Sequence, residues 1–195
     1  MPDRITDELL LEKAGGGDQA AFLLLYERHR NAIFRFAYRL LGSVELAEDV
    51  THDCFLSLIR RPGSFDPSRA SLRTYLYAAA RNLALKYFRS AGRETAVDDL
   101  SEEPPVPSRQ EPLDRLLDEE LVARVREAVG SLPPLQREAL VLFEYEGLPL
   151  SEIARVVGTD VGAVKSRLHR ARERLRNTLA PYLNSNPEIV TLEKA

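Results

Sequence analysis

Apolar residues recur three and four positions apart along most of this chain, and no stretch alternates convincingly between apolar and polar. That period predicts helices and no strands, an all-α protein. Asp18 is placed to cap a long helix through AAFLLLYERHRNAIFRFAYRLLG, stopped at Gly42. Ser43 can cap a second helix, VELAEDVTHDCFLSLIRR, which ends before Pro62. PGSFDPSRAS reads as a loop from its Gly, Pro and Ser content, and LRTYLYAAARNLALKYFRS as the next helix. GGGD at Gly15–Asp18 lacks the Lys and Ser/Thr of a phosphate-binding loop and reads as a turn.

Near the C-terminus, Ile153, Ala154 and Val157 give a short apolar helix face that Gly158 ends. Thr159 or Asp160 can cap the next helix, whose core stripe is Val161, Val164, Leu168, Ala171 and Leu175. Short helix, glycine turn and capped second helix is the helix-turn-helix pattern, whose second helix enters the major groove. The stretch GAVKSRLHRARERLR places six basic side chains on that second helix against one acid, Glu173. A solvated amphipathic helix would also carry such charge, but the turn upstream favours DNA binding. Lys165, Ser166, His169 and Arg170 are then candidates for base edges, with Arg167 and its neighbours flanking them on phosphates.

That concentration of cations contrasts with the chain as a whole, which has 195 residues, 27 Lys+Arg and 30 Asp+Glu. Residues 91–120 hold most of the imbalance, with 3 basic and 10 acidic side chains, and four prolines lie between 104 and 112. Such composition buries too little apolar surface to fold, so its first two-thirds read as a linker. The expected organisation is a helical bundle over 1–90, a linker over 91–112, a helix-turn-helix domain over 113–183 and a tail over 184–195. Cys54 is the single cysteine, which excludes an internal disulfide and a cysteine-rich zinc site. His52-Asp53-Cys54 is no metal site, because adjacent helical side chains diverge by about 100° and no second ligand pair exists. No metal or other cofactor is expected. MPDRITDELL lacks the basic start and apolar run of a signal peptide, and no apolar run nears the ~20 residues of a membrane span. A cytoplasmic protein without membrane insertion is the expectation.

Two faces of the N-terminal bundle differ from ordinary surface. On the second helix, Ala47, Val50, Cys54 and Leu58 form a core stripe, and Asp49, His52, Asp53, Leu56 and Arg60 oppose it. A leucine ringed by charges suits a partner protein, although a single exposed leucine is also ordinary surface. On the helix after the PGSFDPSRAS loop, Leu72, Leu76, Ala79, Leu83 and Tyr87 face the core. Arg73, Tyr77, Arg81 and Phe88 share a second stripe. Interleaved cations and aromatics are what binders of single-stranded nucleic acid use, although such rings are more often plain core.

Taken together, the chain resembles the extracytoplasmic-function (ECF) sigma factors, two-domain bacterial transcription initiation factors. LGSVELAEDVTHDCFLSLIR is similar to their polymerase-binding helix and SFDPSRASLRTYLYAAARN to their promoter-melting loop and helix. LPPLQREALVLFEYEGLPLSEIARVVGTDVGAVKSRLHRARERLR is similar to their C-terminal DNA-binding domain. The resemblance covers roughly residues 18–90 and 113–180. It implies a non-enzymatic factor that binds core RNA polymerase through Asp49, His52, Asp53 and Leu56. It implies duplex −35 recognition by Lys165, Ser166, Arg167, His169 and Arg170. Single-stranded −10 capture and melting would fall to Phe65, Arg69, Arg73, Tyr77 and Arg81, and regulation to an anti-sigma factor. The family commonly has Trp where Ile59 and Tyr75 stand, and often an acid where Lys86 stands; this chain has no Trp. Smaller aromatics lead us to expect a stringent protein that opens few promoters. Two other classes fit parts of the pattern: a dimeric repressor with an N-terminal sensor domain, and an inert mimic that keeps the fold.

Overall fold

The structure is a computed structural model that describes residues 5–91 and 112–185; the expected linker, but for its two end residues, and the tail beyond Ser185 lie outside them, as do residues 1–4. Eight α-helices are present among the described residues, and no strand. They are α1 (Asp7–Gly15), α2 (Gln19–Leu41), α3 (Val44–Arg60), α4 (Leu72–Ala91), α5 (Pro112–Gly130), α6 (Pro134–Leu140), α7 (Leu150–Val157) and α8 (Val161–Ser185). A single 3-10 turn, Pro62–Ser64, opens the loop before α4.

Local chemistry accounts for the boundaries. Asp18 accepts from the amides of Ala20 and Ala21 at the head of α2, and Gly42 ends that helix in the left-handed region at φ 72°. Ser43 caps α3 through the amide of Leu46. The short α1 is not apparent from period alone, since only Leu10, Leu11 and Ala14 are buried and Ile5 and Leu9 stay exposed. Nine residues do not hold a helix in water, so tertiary contacts decide it. Thr6 caps α1, and Asp7 binds Arg28 at 2.9 Å and His29 at 2.7 Å on α2.

The N-terminal core packs Leu25, Ile33 and Phe36 of α2 against Val50, Cys54 and Leu58 of α3 and Leu72 and Leu76 of α4. The α3 stripe expected from the sequence is fully buried. Burial pushes the Cys54 thiol up to about 12, so it stays protonated and unreactive in the folded protein. The C-terminal core joins Val141, Leu142, Ile153, Val164 and Ala171 from the segment after α6, α7 and α8. That segment, Val141–Tyr145, is a wide π turn in which the Glu146 amide reaches the Val141 carbonyl at 3.1 Å.

The two cores are not separated by solvent. α4 lies between α2 and α3 on one side and α7 on the other. Its buried face is therefore broader than one stripe: Tyr77, Ala80 and Ala84 are buried beside Leu72 and Leu76, whereas Ala79, Leu83 and Tyr87 are only half-buried.

Candidate nucleic-acid interface

The helix-turn-helix is built from α7, Gly158 and α8. Gly158 adopts φ 67°, which a side chain would strain, and its amide closes on the Ala154 carbonyl. Asp160 accepts from the Ala163 amide at 2.8 Å and so starts α8. A Cβ added at Gly162 would come 2.9 Å from that capping oxygen, which keeps the first turn free of side chain at this position. Val164, Leu168 and Ala171 are buried, and Leu175 is half-buried. Lys165, Ser166, His169 and Arg170 are exposed, His169 with 75% of its side-chain surface open. Arg167 differs from these four. It is half-buried and turned back to Glu138 of α6, 3.1 Å away. Arg172 is exposed but held 2.6 Å from Glu144, with Phe143 beneath its guanidinium.

On α3, Asp49, His52 and Asp53 are exposed and Leu56 is half-buried, so this face remains open. The loop before α4 is ordered by Asp66, which accepts from the Ser68 amide at 2.9 Å and from its hydroxyl at 2.7 Å. Those bonds hold the Asp66 carboxyl below its usual range. Phe65 is buried, edge-on to Tyr75 at 5.6 Å, where a base-stacking ring would need an open face. Arg69 is exposed.

Tyr77 and Arg81 of the α4 stripe are covered. Tyr77 is fully buried, edge-on to Phe36, and its hydroxyl donates to Glu146. Burial first, and the Glu146 carboxylate second, push the Tyr77 phenol well above its usual range. Arg81 donates to both oxygens of Glu138, at 2.6 and 3.1 Å. Arg73, itself exposed, donates to the Glu146 carbonyl, and Thr74 donates to Glu152 at 2.6 Å. Helical period and charge run do not mark these three glutamates as functional. Two nonetheless leave a signal: Glu138 and Glu146 stand in the mainly apolar run REALVLFEYEGL and both are buried, whereas Glu144 of the same run is exposed.

Residues 25–94 match Sigma-70 region 2, and residues 123–175 match Sigma-70 region 4. The RNA polymerase sigma-H factor of Pseudomonas aeruginosa is 32% identical over 185 residues, which cover 91% of this chain and 95% of that protein.

The ECF RNA polymerase sigma-E factor of Escherichia coli is 33% identical over 191 residues, which cover 94% of this chain and 99% of that protein. The chain belongs to the ECF RNA polymerase sigma factors.

The ECF sigma factor SigE of Mycolicibacterium smegmatis is 35% identical over 172 residues; this sigma factor spans 65% of that longer protein. Among solved structures, the Bartonella quintana sigma factor RpoE, in complex with the anti-sigma factor NepR, superposes with a TM-score of 0.65. It is 26% identical, and the match covers 81% of this chain and 94% of that one. The match to region 2 occupies the place where a dimeric repressor would carry its sensor domain. Among the described residues, no group of three His, Cys, Asp or Glu side chains is placed to hold a metal, and no helix is long and apolar enough to cross a membrane.

Proposed function

We propose that this sigma factor recruits core RNA polymerase through the α3 face, reads a duplex −35 element with α8 and captures single-stranded −10 bases with the 61–70 loop and α4. The supporting organisation is a bundle over 1–90 and a helix-turn-helix unit over 113–183, joined by the acidic 91–112 segment. The observation that carries the reading is the exposure of Lys165, Ser166, His169 and Arg170 in the first turns of a helix anchored by Gly158 and Asp160. That arrangement aims polar groups at base edges, while the exposed flanking Arg174 and Arg176 supply charge for phosphates. Arg167 contributes less directly, since Glu138 already engages it. The Bartonella relative is bound by an anti-sigma factor, and regulation by such a partner is part of the proposal.

Replacing Arg170 with alanine should weaken discrimination at one −35 position by about 1–3 kcal/mol, the worth of a bidentate contact to guanine. Competition binding of holoenzyme to promoters with single −35 substitutions measures this. Unchanged discrimination removes Arg170 from the reading set and leaves it as a phosphate contact.

A further inference from the structure

Beside the exposed side chains of α8 lies a buried acceptor with nothing to accept. Gln136, the third residue of α6, is half-buried. Its side-chain oxygen Oε1 is shut off from solvent and meets no hydrogen-bond donor among the described residues. A buried carbonyl oxygen in that state is costly, and few native structures keep one without a use for it. Gln136 lines a cleft of about 550 Å³ between α6 and α8. The opposite wall is made by Ala163, Ser166, Arg167 and Arg170 of the reading helix.

One side chain on that wall has donors to spare. The Ser166 hydroxyl, with a single proton to give, already donates to the Gly162 carbonyl at 3.0 Å. Arg167 is drawn to Glu138, 3.1 Å from its guanidinium. Arg170 is exposed, and no hydrogen bond, ion pair or ring holds it among the described residues. Long side chains on a helix lean back toward its N-terminus, so Arg170 extends over the turn of Ser166 and Arg167, along the cleft. Ala163, with its single methyl, leaves room there. The Arg167–Glu138 bond fixes α6 against α8 two residues from Gln136 and three from Arg170, so the two walls keep their register. A guanidinium carries five N–H donors in a planar fork. Two of them satisfy a guanine in the major groove, and the rest stay free to be held from the protein side.

We propose that Gln136 is a positioning residue for −35 reading. When α8 enters the major groove, Arg170 donates one N–H to Gln136 Oε1 and presents another edge of its fork to O6 and N7 of a guanine. The bond removes rotamers that Arg170 samples in the free protein, so less freedom is lost when the base is bound. It also gives the buried oxygen of Gln136 its missing donor. The proposal rests on the reading of Arg170 as a base contact and adds the group that aims it.

The test is competition binding of holoenzyme to promoter duplexes in which each −35 guanine is replaced in turn by 7-deazaguanine, which lacks the N7 acceptor. Wild type should lose roughly fivefold in affinity at the guanine that Arg170 reads, the lower end for a bidentate contact. Gln136→Met, close in size but without a carbonyl acceptor, should weaken that discrimination by roughly threefold or more, within the range for residues in contact. Gln136→Glu keeps an acceptor at the same place and should retain the discrimination, even where its charge lowers affinity for every duplex alike. Arg170→Ala should abolish the discrimination, and adding Gln136→Met to it should change nothing further. Circular dichroism and thermal melting check that each variant is folded. Full discrimination by Gln136→Met overturns the positioning role, as does a loss shared equally by every −35 position. A loss in Gln136→Glu equal to that in Gln136→Met overturns it too, because the acceptor is then not what matters. Additive losses with Arg170→Ala overturn it by showing that Gln136 acts on its own. If wild type senses no 7-deazaguanine, or Arg170→Ala discriminates as wild type does, the reading of Arg170 has failed and the positioning role falls with it. The single Gln136 variants cannot imitate that result.

Discussion

Replacing Phe36 with alanine should lower the free energy of unfolding by about 3–5 kcal/mol, the range for large aromatics removed from a close-packed core. Phe36 is fully buried at the junction of α2 with α4, and its ring meets Tyr77 edge-on at 5.2 Å. Deletion loses the transfer energy of the ring and leaves a cavity; the aromatic pair adds about 0.5–1.5 kcal/mol beyond buried area. Against a total stability of about 5–15 kcal/mol, the loss leaves a marginal protein. Urea titration should show a lower midpoint with an unchanged slope. A loss below about 1 kcal/mol would mean that α2 and α4 are not closely packed around this ring. Because Tyr77 connects the core to Glu146, the same variant should also loosen the contact between the two halves.

The second large effect is functional. Leu56→Asp should cost about 2–4 kcal/mol of affinity for core polymerase, a fall of roughly 30- to 1000-fold, as expected for a central interface residue. Leu56 is half-buried among Asp49, His52 and Asp53, on the side of α3 away from Ala47, Val50, Cys54 and Leu58. A charge placed there meets a partner surface that excludes water, and it stands three residues from Asp53, which is itself four from Asp49. Folding should survive, with a cost of about 1 kcal/mol from helix propensity and repulsion. Pull-down with core polymerase measures the effect alongside circular dichroism. Undiminished capture by a folded variant would make this face ordinary solvated surface.

Most of the fold is legible in the sequence because local chemistry and period agree. Asp18, Gly42, Ser43, Gly158 and Asp160 mark helix ends by capping and by left-handed backbone, and the structure uses each of them in that way. The α3 stripe is plain from a single-sided helix with the usual period. α1 is not legible, because its order comes from Asp7 meeting Arg28 and His29, each more than 20 residues away. α4 is legible only in part. A helix packed on two sides buries more than one stripe, so Tyr77 and Ala80 enter the interior where period alone assigns Ala79 and Leu83. The exposed cations of α8 are readable from the wheel. The inward turn of Arg167 is not, since it depends on Glu138 from another helix.

Promoter-directed initiation is tested most directly by one reconstitution. The full chain, purified core polymerase and genomic DNA are combined with nucleotides, and the 5′ ends of the transcripts are sequenced. A sigma factor of this kind should give initiation only when both proteins are present, at start sites sharing a −35 and a −10 element at fixed spacing. Initiation by core alone at the same sites would contradict that role, as would a palindromic footprint by this chain without polymerase and no gain in transcription with it.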